Sequence, residues 1–194
     1  MDSSPSRIIL GLDPGSRRTG FALLKQEGNR FESLELGVIK AEHLSDHAIR
    51  LKLIQDEITK LIHRFSPDMC AVETPVYGKD PLAMLKLGRA QAACILAIVN
   101  TGREVTEYYP KAVKKSITGN GNAAKEQVAY MLAKLVNVEV ERISNDATDA
   151  LAVAWCHAMR GNELSGTHKD PLKRTGRGRS AWGDFVAGNP DRVK

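Results

Sequence analysis

The chain has 194 residues, of which 42% are hydrophobic, so it can build one folded domain and is not disordered throughout. Its 28 lysines and arginines outnumber its 23 acidic residues, and the net charge of +5 suits a nucleic-acid partner without requiring one. The three cysteines, Cys70, Cys94 and Cys156, have no zinc-binding spacing, and their apolar neighbours predict buried thiols in a reducing compartment. A disulfide-stapled secreted domain and a zinc finger are therefore excluded.

Three antiparallel strands in a meander are predicted at the start of the chain. Arg7–Leu12 is an apolar run that ends at the turn-forming sequence Asp13-Pro14-Gly15. Thr19–Gln26 and Phe31–Lys40 have the composition of two further strands.

Helices and short strands alternate in the rest of the domain. Asp46 is placed to cap a helix that runs to about Phe65. The later predicted elements are a strand at Met69–Glu73, a helix at Leu82–Asn100, a strand at Glu104–Tyr108, a helix at Ala123–Val136 and a last helix from Ser144 or Asn145 to about Arg160. The order βββ-α-β-α-β-α-α predicts an α/β fold with a mixed five-stranded sheet flanked by helices.

The helix at Leu82–Asn100 is the most apolar segment of the chain. Its Lys86 and Arg89 argue against a membrane span, and no signal peptide precedes the domain, so we expect a cytoplasmic protein with no membrane partner. Two interpretations of its apolar surface stay open, a well-buried core helix and a dimer interface. The residues that favour an interface are Leu85, Gly88, Ala92, Ile95, Leu96 and Val99.

A change of composition after Arg160 predicts two regions, a domain at 1–160 and a basic, disordered tail at 161–194. The tail is rich in glycine, lysine, arginine and serine and carries a net charge of +3, whereas the other 160 residues carry +2. Trp182 and Phe185 are unusual in a solvated tail, so they form either a docking motif or a segment that packs back onto the domain.

Four carboxylates stand where a predicted strand ends or a predicted helix begins. Asp13 and Glu73 end the first and fourth strands, and Asp146 and Asp149 lie one turn apart at the start of the last helix. If gathered at one edge of the sheet, they would repel one another unless a hard cation such as Mg²⁺ lay between them. Two ions roughly 3.5–4 Å apart could activate a water and stabilise the leaving oxygen of a phosphodiester.

Each acid also has a purely structural interpretation that the residues alone leave open. Asp13 is a good turn former, and Glu73 could be a surface charge at a strand end. Asp146 and Asp149 could simply complement the positive end of a helix dipole.

Five motifs, in order and with matching spacing, resemble those of the RuvC family of Holliday junction resolvases over about residues 7–160. They are Ile8-Ile9-Leu10-Gly11-Leu12-Asp13-Pro14-Gly15-Ser16-Arg17-Arg18-Thr19-Gly20, Ala71-Val72-Glu73, Leu85-Lys86-Leu87-Gly88-Arg89-Ala90, Ala112-Val113-Lys114-Lys115 and Asp146-Ala147-Thr148-Asp149-Ala150-Leu151-Ala152. The resemblance implies a ribonuclease H-like fold and a homodimer that makes paired, symmetric nicks in four-way DNA junctions during recombination and repair.

The resemblance also implies the roles of particular residues. Asp13, Glu73, Asp146 and Asp149 match the family's metal-binding acids, which hold two Mg²⁺ ions per subunit, with Mn²⁺ as an alternative. Lys125 matches a catalytic lysine beside the scissile phosphate, where it offsets growing charge, and the products carry a 5′-phosphate. The branch-migration proteins RuvA and RuvB are the expected protein partners.

The expected DNA contacts come from basic residues and one aromatic. Lys114 matches a family lysine near the phosphate, and Lys115, Arg17 and Arg18 are further predicted phosphate contacts. The family commonly has an aromatic, which stacks on a base at the junction centre, at the position of Val76. Here the aromatic comes one residue later, so Tyr77 either takes over the stacking or is turned elsewhere by Pro75.

Three other functions compete with that of a resolvase. An actin-like ATPase would need a second domain and another phosphate-binding loop, which 194 residues hardly accommodate. A junction-binding module without catalysis, and a nuclease of the same chemistry acting on other DNA structures or on RNA, both stay open. Metal-dependent nicking and substrate selectivity separate them from the resolvase.

Overall fold

The computed structural model describes residues 6–76, 78, 80–136, 138 and 143–164, the last four by their backbone alone. The described strands are β1 (Ser6–Asp13), β2 (Arg18–Glu27), β3 (Arg30–Lys40), β4 (Met69–Glu73) and β5 (Val105–Tyr108). The described helices are α1 (His47–Phe65), α2 (Pro81–Val99), α3 (Pro110–Thr118), α4 (Lys125–Val136) and α5 (Asn145–Leu164).

The strands form one mixed sheet in the order β3-β2-β1-β4-β5. β1 pairs antiparallel with β2, and β2 with β3, so the predicted meander is confirmed. β4 lies parallel to both β1 and β5, as expected when helices connect the strands. The predicted α/β class with a five-stranded mixed sheet is confirmed.

The prediction missed one helix and ended another too early. α3 was not predicted, although Pro110 at its first turn and Gly119, with a φ of 74° after its end, are regular start and stop signals. α5 continues to Leu164 rather than ending at about Arg160. The rest of the predicted tail, including Trp182 and Phe185, lies outside the described residues.

Period-two alternation along the central strand sorts its side chains between two hydrophobic clusters. Leu10 and Leu12 of β1 belong to a cluster with residues of α1 and α2. Ile9 belongs to the other, with residues of α3, α4 and α5. Because successive side chains point to opposite faces, Gly11 and Asp13 share the face of Ile9 and therefore the α5 side of the sheet.

Glycines let α5 lie unusually close to the sheet. A Cβ at Gly11 would come within 2.3 Å of the Ala150 carbonyl oxygen and 2.6 Å of the Ala154 amide nitrogen. A Cβ at Gly20 would come within 1.9 Å of the Asp146 carbonyl oxygen. Helix backbone therefore rests directly on β1 and β2, and the first turn of α5 is fixed against the end of the sheet.

α2 has one buried face and one exposed face. Ala90, Ala93, Cys94, Ala97 and Ile98 are buried in the cluster shared with α1. On the other side Leu82 and Leu85 are 68% and 51% exposed. By length and composition alone α2 could cross a membrane, but the core helices of soluble proteins can also be this long and apolar.

Substituting Gly11 with alanine should destabilise the domain by about 1–3 kcal/mol, because the new methyl group would overlap the backbone of α5. Urea unfolding followed by circular dichroism measures the change. Gly88→Ala is the matched control, since a Cβ there meets nothing within 4 Å and alanine favours the helix by up to about 1 kcal/mol. Equal unfolding midpoints for Gly11→Ala and the wild type would contradict the close approach.

Candidate active site

Two carboxylates meet where two parallel strands end. Leu12 of β1 is the register partner of Val72 of β4, and Asp13 and Glu73 each follow their paired residue by one position. Ala71 lies in the same hydrophobic cluster as Ile9, so alternation places Glu73 on the same face of the sheet as Asp13. The two side chains are near enough for an interaction between them to contribute to the pKa shifts of both.

The start of α5 brings the other two acids to this edge. The Ser144 hydroxyl accepts a hydrogen bond from the Ala147 amide at 3.4 Å, the arrangement of an N-cap residue. Asp146 and Asp149 follow within the first turn and a half of the helix. The charges of both raise the pKa of Asp13, which shows that all four acids share one electrostatic site.

Burial and mutual repulsion perturb the two strand-end acids. Desolvation, followed by the charges of Glu73 and Asp149, raises the pKa of Asp13 to about 8. Desolvation also raises the pKa of Glu73, although the hydrogen bond from Asp13 opposes that rise. In the absence of metal, both carboxyls therefore bind a proton more readily than free carboxyls do.

Two cations balance the remaining acids. The Lys125 Nζ donates to Asp149 Oδ2 at 2.7 Å, and this hydrogen bond raises the pKa of Lys125. The Arg18 Nε donates to Asp146 Oδ2 at 2.8 Å. Arg18 was predicted as a DNA contact, and its pairing with an acid 128 residues away in the chain was not foreseen.

The four carboxylates are oxygen donors suited to a hard divalent cation, but Asp149 is paired with the Lys125 ammonium and Asp146 with the Arg18 guanidinium. Within the described residues, no group of three or more His, Cys, Asp or Glu side chains lies close enough together to hold a metal ion. Asp13 and Glu73 end neighbouring parallel strands on one face of the sheet, so a cation bound at this edge would lie beside both. Asp149 and Asp146 would join them once Lys125 and Arg18 were displaced.

A cavity of about 270 Å³ opens beside the acids. Its lining includes the carboxylates Glu73 and Asp149 and the lysines Lys114 and Lys125. The Lys114 Nζ donates to the Ala123 carbonyl at 2.7 Å, so this ammonium group is fixed at the cavity wall. A phosphodiester in the cavity would meet both the carboxylates and two positive charges.

The other predicted site residues lie away from this cavity or outside the described residues. Lys115 is exposed on α3 and lines a separate depression with Arg160. Arg17 is exposed in the turn between β1 and β2 and forms no ion pair with a described residue. Tyr77 lies outside the described residues.

A site residue that the sequence did not single out is Pro110, which lines the acid cavity and begins α3. The sequence signal for Pro110 was its position just after the strand that ends at Tyr108, because a proline there favours a helix that starts at the proline. Without α3 in the prediction, Lys114 could not be placed on a helix or against the acid cavity.

The comparisons with known proteins agree with this geometry. The family model described as "Crossover junction endodeoxyribonuclease RuvC" matches residues 9–157. The chain is 45% identical to the crossover junction endodeoxyribonuclease RuvC of Salinibacter ruber, covering 96% of this chain and 98% of that protein. It is 44% identical to the Porphyromonas gingivalis protein of the same name, over 99% of this chain and 100% of that protein.

Solved structures give the same assignment. RuvC of Thermus thermophilus in complex with a Holliday junction substrate superposes with a TM-score of 0.76 at 28% identity, covering 82% of this chain and 97% of that chain. The yeast mitochondrial Holliday junction resolvase superposes with a TM-score of 0.63 at 13% identity over 84% of this chain and 82% of that chain, a likeness of fold alone. The fold is ribonuclease H-like, and the chain belongs to the RuvC family of crossover junction endodeoxyribonucleases.

Proposed function

We propose that this protein is a Holliday junction resolvase that makes paired, symmetric nicks in four-way DNA junctions during recombination and repair. The observation that carries the proposal is the family match over residues 9–157, which contains all four acids of the site. The T. thermophilus relative is described as bound to a Holliday junction, which gives the substrate by analogy.

Mg²⁺ is the proposed cofactor, two ions per subunit, with Mn²⁺ as an alternative. Asp13 and Glu73 would hold it directly, and Asp146 and Asp149 would complete the oxygen ligands after parting from their cations. When bound, the ions supply Lewis-acid stabilisation of the developing negative charge and lower the pKa of water.

The chain's own residues orient the scissile phosphate and stabilise its charge. Water adds to phosphorus in line and gives up a proton to solvent as the bond from phosphorus to O3′ breaks, leaving a 5′-phosphate and a 3′-oxyanion that takes up a proton to become a hydroxyl. Lys125, once released by Asp149, can turn its ammonium group towards the phosphate oxygens. Lys114 has two N–H groups left beyond its bond to Ala123, and these can hold the same phosphate.

The exposed face of α2 supports a homodimer with two active sites. The residues on this face are spaced alternately three and four apart, as in a coiled-coil seam. They are Leu82, Leu85, Arg89, Ala92, Leu96 and Val99. Ile95, predicted for the same interface, is half-buried against the core instead. A junction has approximate two-fold symmetry, so a C2 dimer on this seam would cut its strands in pairs.

The remaining proposals follow from family membership. Lys115 and Arg17, both exposed, would contact DNA phosphates, and binding would weaken steeply with salt. RuvA and RuvB are the proposed partners on the junction, and the cytoplasm is the proposed location.

Junction cleavage is the direct test of this function. The purified protein should nick end-labelled four-way junctions symmetrically in Mg²⁺ but not in EDTA, and should leave matched duplex and Y-shaped DNA intact. Junctions with homologous and fixed cores should both be used, because a mobile crossover can reach a preferred sequence. Tight junction binding without nicks at any core would favour a non-catalytic binder, and equal cutting of all substrates would favour a nuclease of another specificity.

Asp13→Asn should reduce nicking by at least roughly a hundredfold while leaving junction binding intact, because metal ions contribute several kcal/mol to such reactions. Asp56→Asn is a matched control on the exposed side of α1 and should behave like the wild type. Nicking by Asp13→Asn at the native rate would remove Asp13 from the site.

Arg18→Gln should increase the affinity for Mg²⁺ several-fold, because Asp146 would no longer be held by a competing guanidinium. The metal-free melting temperature should fall slightly, since a partly exposed ion pair is worth up to about 1 kcal/mol. Calorimetric titration with MgCl₂ and thermal unfolding measure both effects without substrate. Arg17→Gln removes the same charge one residue away and should change neither, so weaker Mg²⁺ binding in Arg18→Gln than in this control contradicts the competition.

Leu96→Glu should convert the dimer into monomers, because a carboxylate in the apolar part of the seam, with no charged residue one turn away on α2, would be buried without a partner. Sedimentation velocity at micromolar concentration measures the state, and paired nicking should become single nicking. Leu135→Glu on α4 is the control, since Leu135 is 40% exposed and lies outside the seam. A wild-type monomer at this concentration would refute the α2 dimer.

A further inference from the structure

A second, larger depression adjoins the acid cavity. Its volume is about 530 Å³, and it shares Pro110 and Lys114 with the acid cavity. Val76 and Tyr109 also line it, and its surface is mostly carbon. DNA with its phosphate beside the acids would therefore place a neighbouring nucleotide over this depression.

Tyr109 is an exposed aromatic on firmly held backbone. Its side chain is 65% exposed, although it lies between a strand and a helix of the domain. Its carbonyl accepts hydrogen bonds from the amides of Ala112 at 2.9 Å and Val113 at 3.2 Å, in the first turn of α3. A large ring that is ordered yet not used in the core is a feature of binding surfaces.

The lining combines an aromatic face with positive charge. Lys111 and Lys114 line the depression, and no described carboxylate does so. Gly121 also lines the depression and packs closely on α3, since a Cβ there would come within 3.0 Å of the Lys111 carbonyl oxygen. A flat apolar group attached to an anionic chain would fit both the aromatic face and the positive charge. A nucleobase on its phosphodiester strand is such a group.

We propose that this depression receives an unstacked base next to the scissile phosphate and that Tyr109 is the ring on which the base stacks. The inference rests on the proposed resolvase function and adds a residue that determines substrate choice. Bases in a duplex are already stacked, so occupying the depression would cost a few kcal/mol of unstacking there. Bases at a junction crossover are more easily unstacked, so Tyr109 favours junctions over duplex.

The test compares Tyr109→Ala and Tyr109→Phe with Tyr130→Ala. Tyr130 on α4 matches Tyr109 in size and exposure, since it is 66% exposed. It lines neither the acid cavity nor this depression, so it serves as the control. The full chain is titrated in Ca²⁺ into four-way junctions that carry 2-aminopurine at positions flanking the crossover. Junction affinity, duplex affinity and 2-aminopurine fluorescence are measured for each variant, and thermal unfolding confirms that each is folded.

Tyr109→Ala should weaken junction binding by roughly 5- to 150-fold, the range expected for the loss of one stacked base. Duplex binding should stay unchanged, the fluorescence change at one flanking position should disappear, and Tyr109→Phe should retain both signals. Tyr130→Ala should match the wild type.

Two outcomes would overturn the inference, and they differ in what else they overturn. If the wild type binds and cuts junctions but Tyr109→Ala behaves like Tyr130→Ala, the stacking role is wrong and the resolvase function stands. If the wild type neither binds nor cuts four-way junctions, the proposed function fails and the inference fails with it.

Discussion

Repulsion among carboxylates at one edge of the sheet is the constraint on which the rest of the site depends. Burial and the neighbouring acids raise the pKa of Asp13 from 3.8 to about 8, so in the absence of metal the folded protein binds a proton here more tightly than the unfolded chain does. The stabilisation of the folded state by protonated Asp13 is complete below the unfolded pKa of 3.8 and is lost as the pH rises through the folded pKa of about 8. Three positive elements offset the repulsion in the metal-free protein, namely this proton, Lys125 and Arg18.

The site therefore combines a fixed backbone with exchangeable charges. Asp13 and Glu73 end strands whose register is fixed, and α5 is held against the sheet where Gly11 and Gly20 allow no side chain. The counter-charges, by contrast, are carried by long lysine and arginine side chains that are at least partly exposed. In the proposed metal-bound state a cation would replace them through side-chain movement alone, which would keep the reorganisation on binding small.

Features that depend on local pattern were predictable from the sequence, and features that depend on distant pairing were not. The strand ends at Asp13 and Glu73 follow from short apolar runs closed by turn residues, and alternation then places both acids on one face. α3 was missed because its nine residues bury only Val113 and Ile117, too few for a periodic signal. The pairing of Arg18 with Asp146 joins residues 128 apart, and no local pattern contains it.

Chemistry and substrate choice reside in different parts of this molecule. A set of carboxylates with Mg²⁺ hydrolyses phosphodiesters of many structures, so the acid cluster alone cannot select a four-way junction. Selecting a junction requires surfaces that recognise two features that a duplex lacks. One is two-fold symmetry relating two cutting sites, and the other is bases that are free to unstack. In the proposed dimer, the apolar seam on α2 would supply the first, and the proposed base-binding depression beside Tyr109 would supply the second. The seam is built by residues absent from the acid site, so substrate preference could change in evolution while the proposed catalytic acids stay the same.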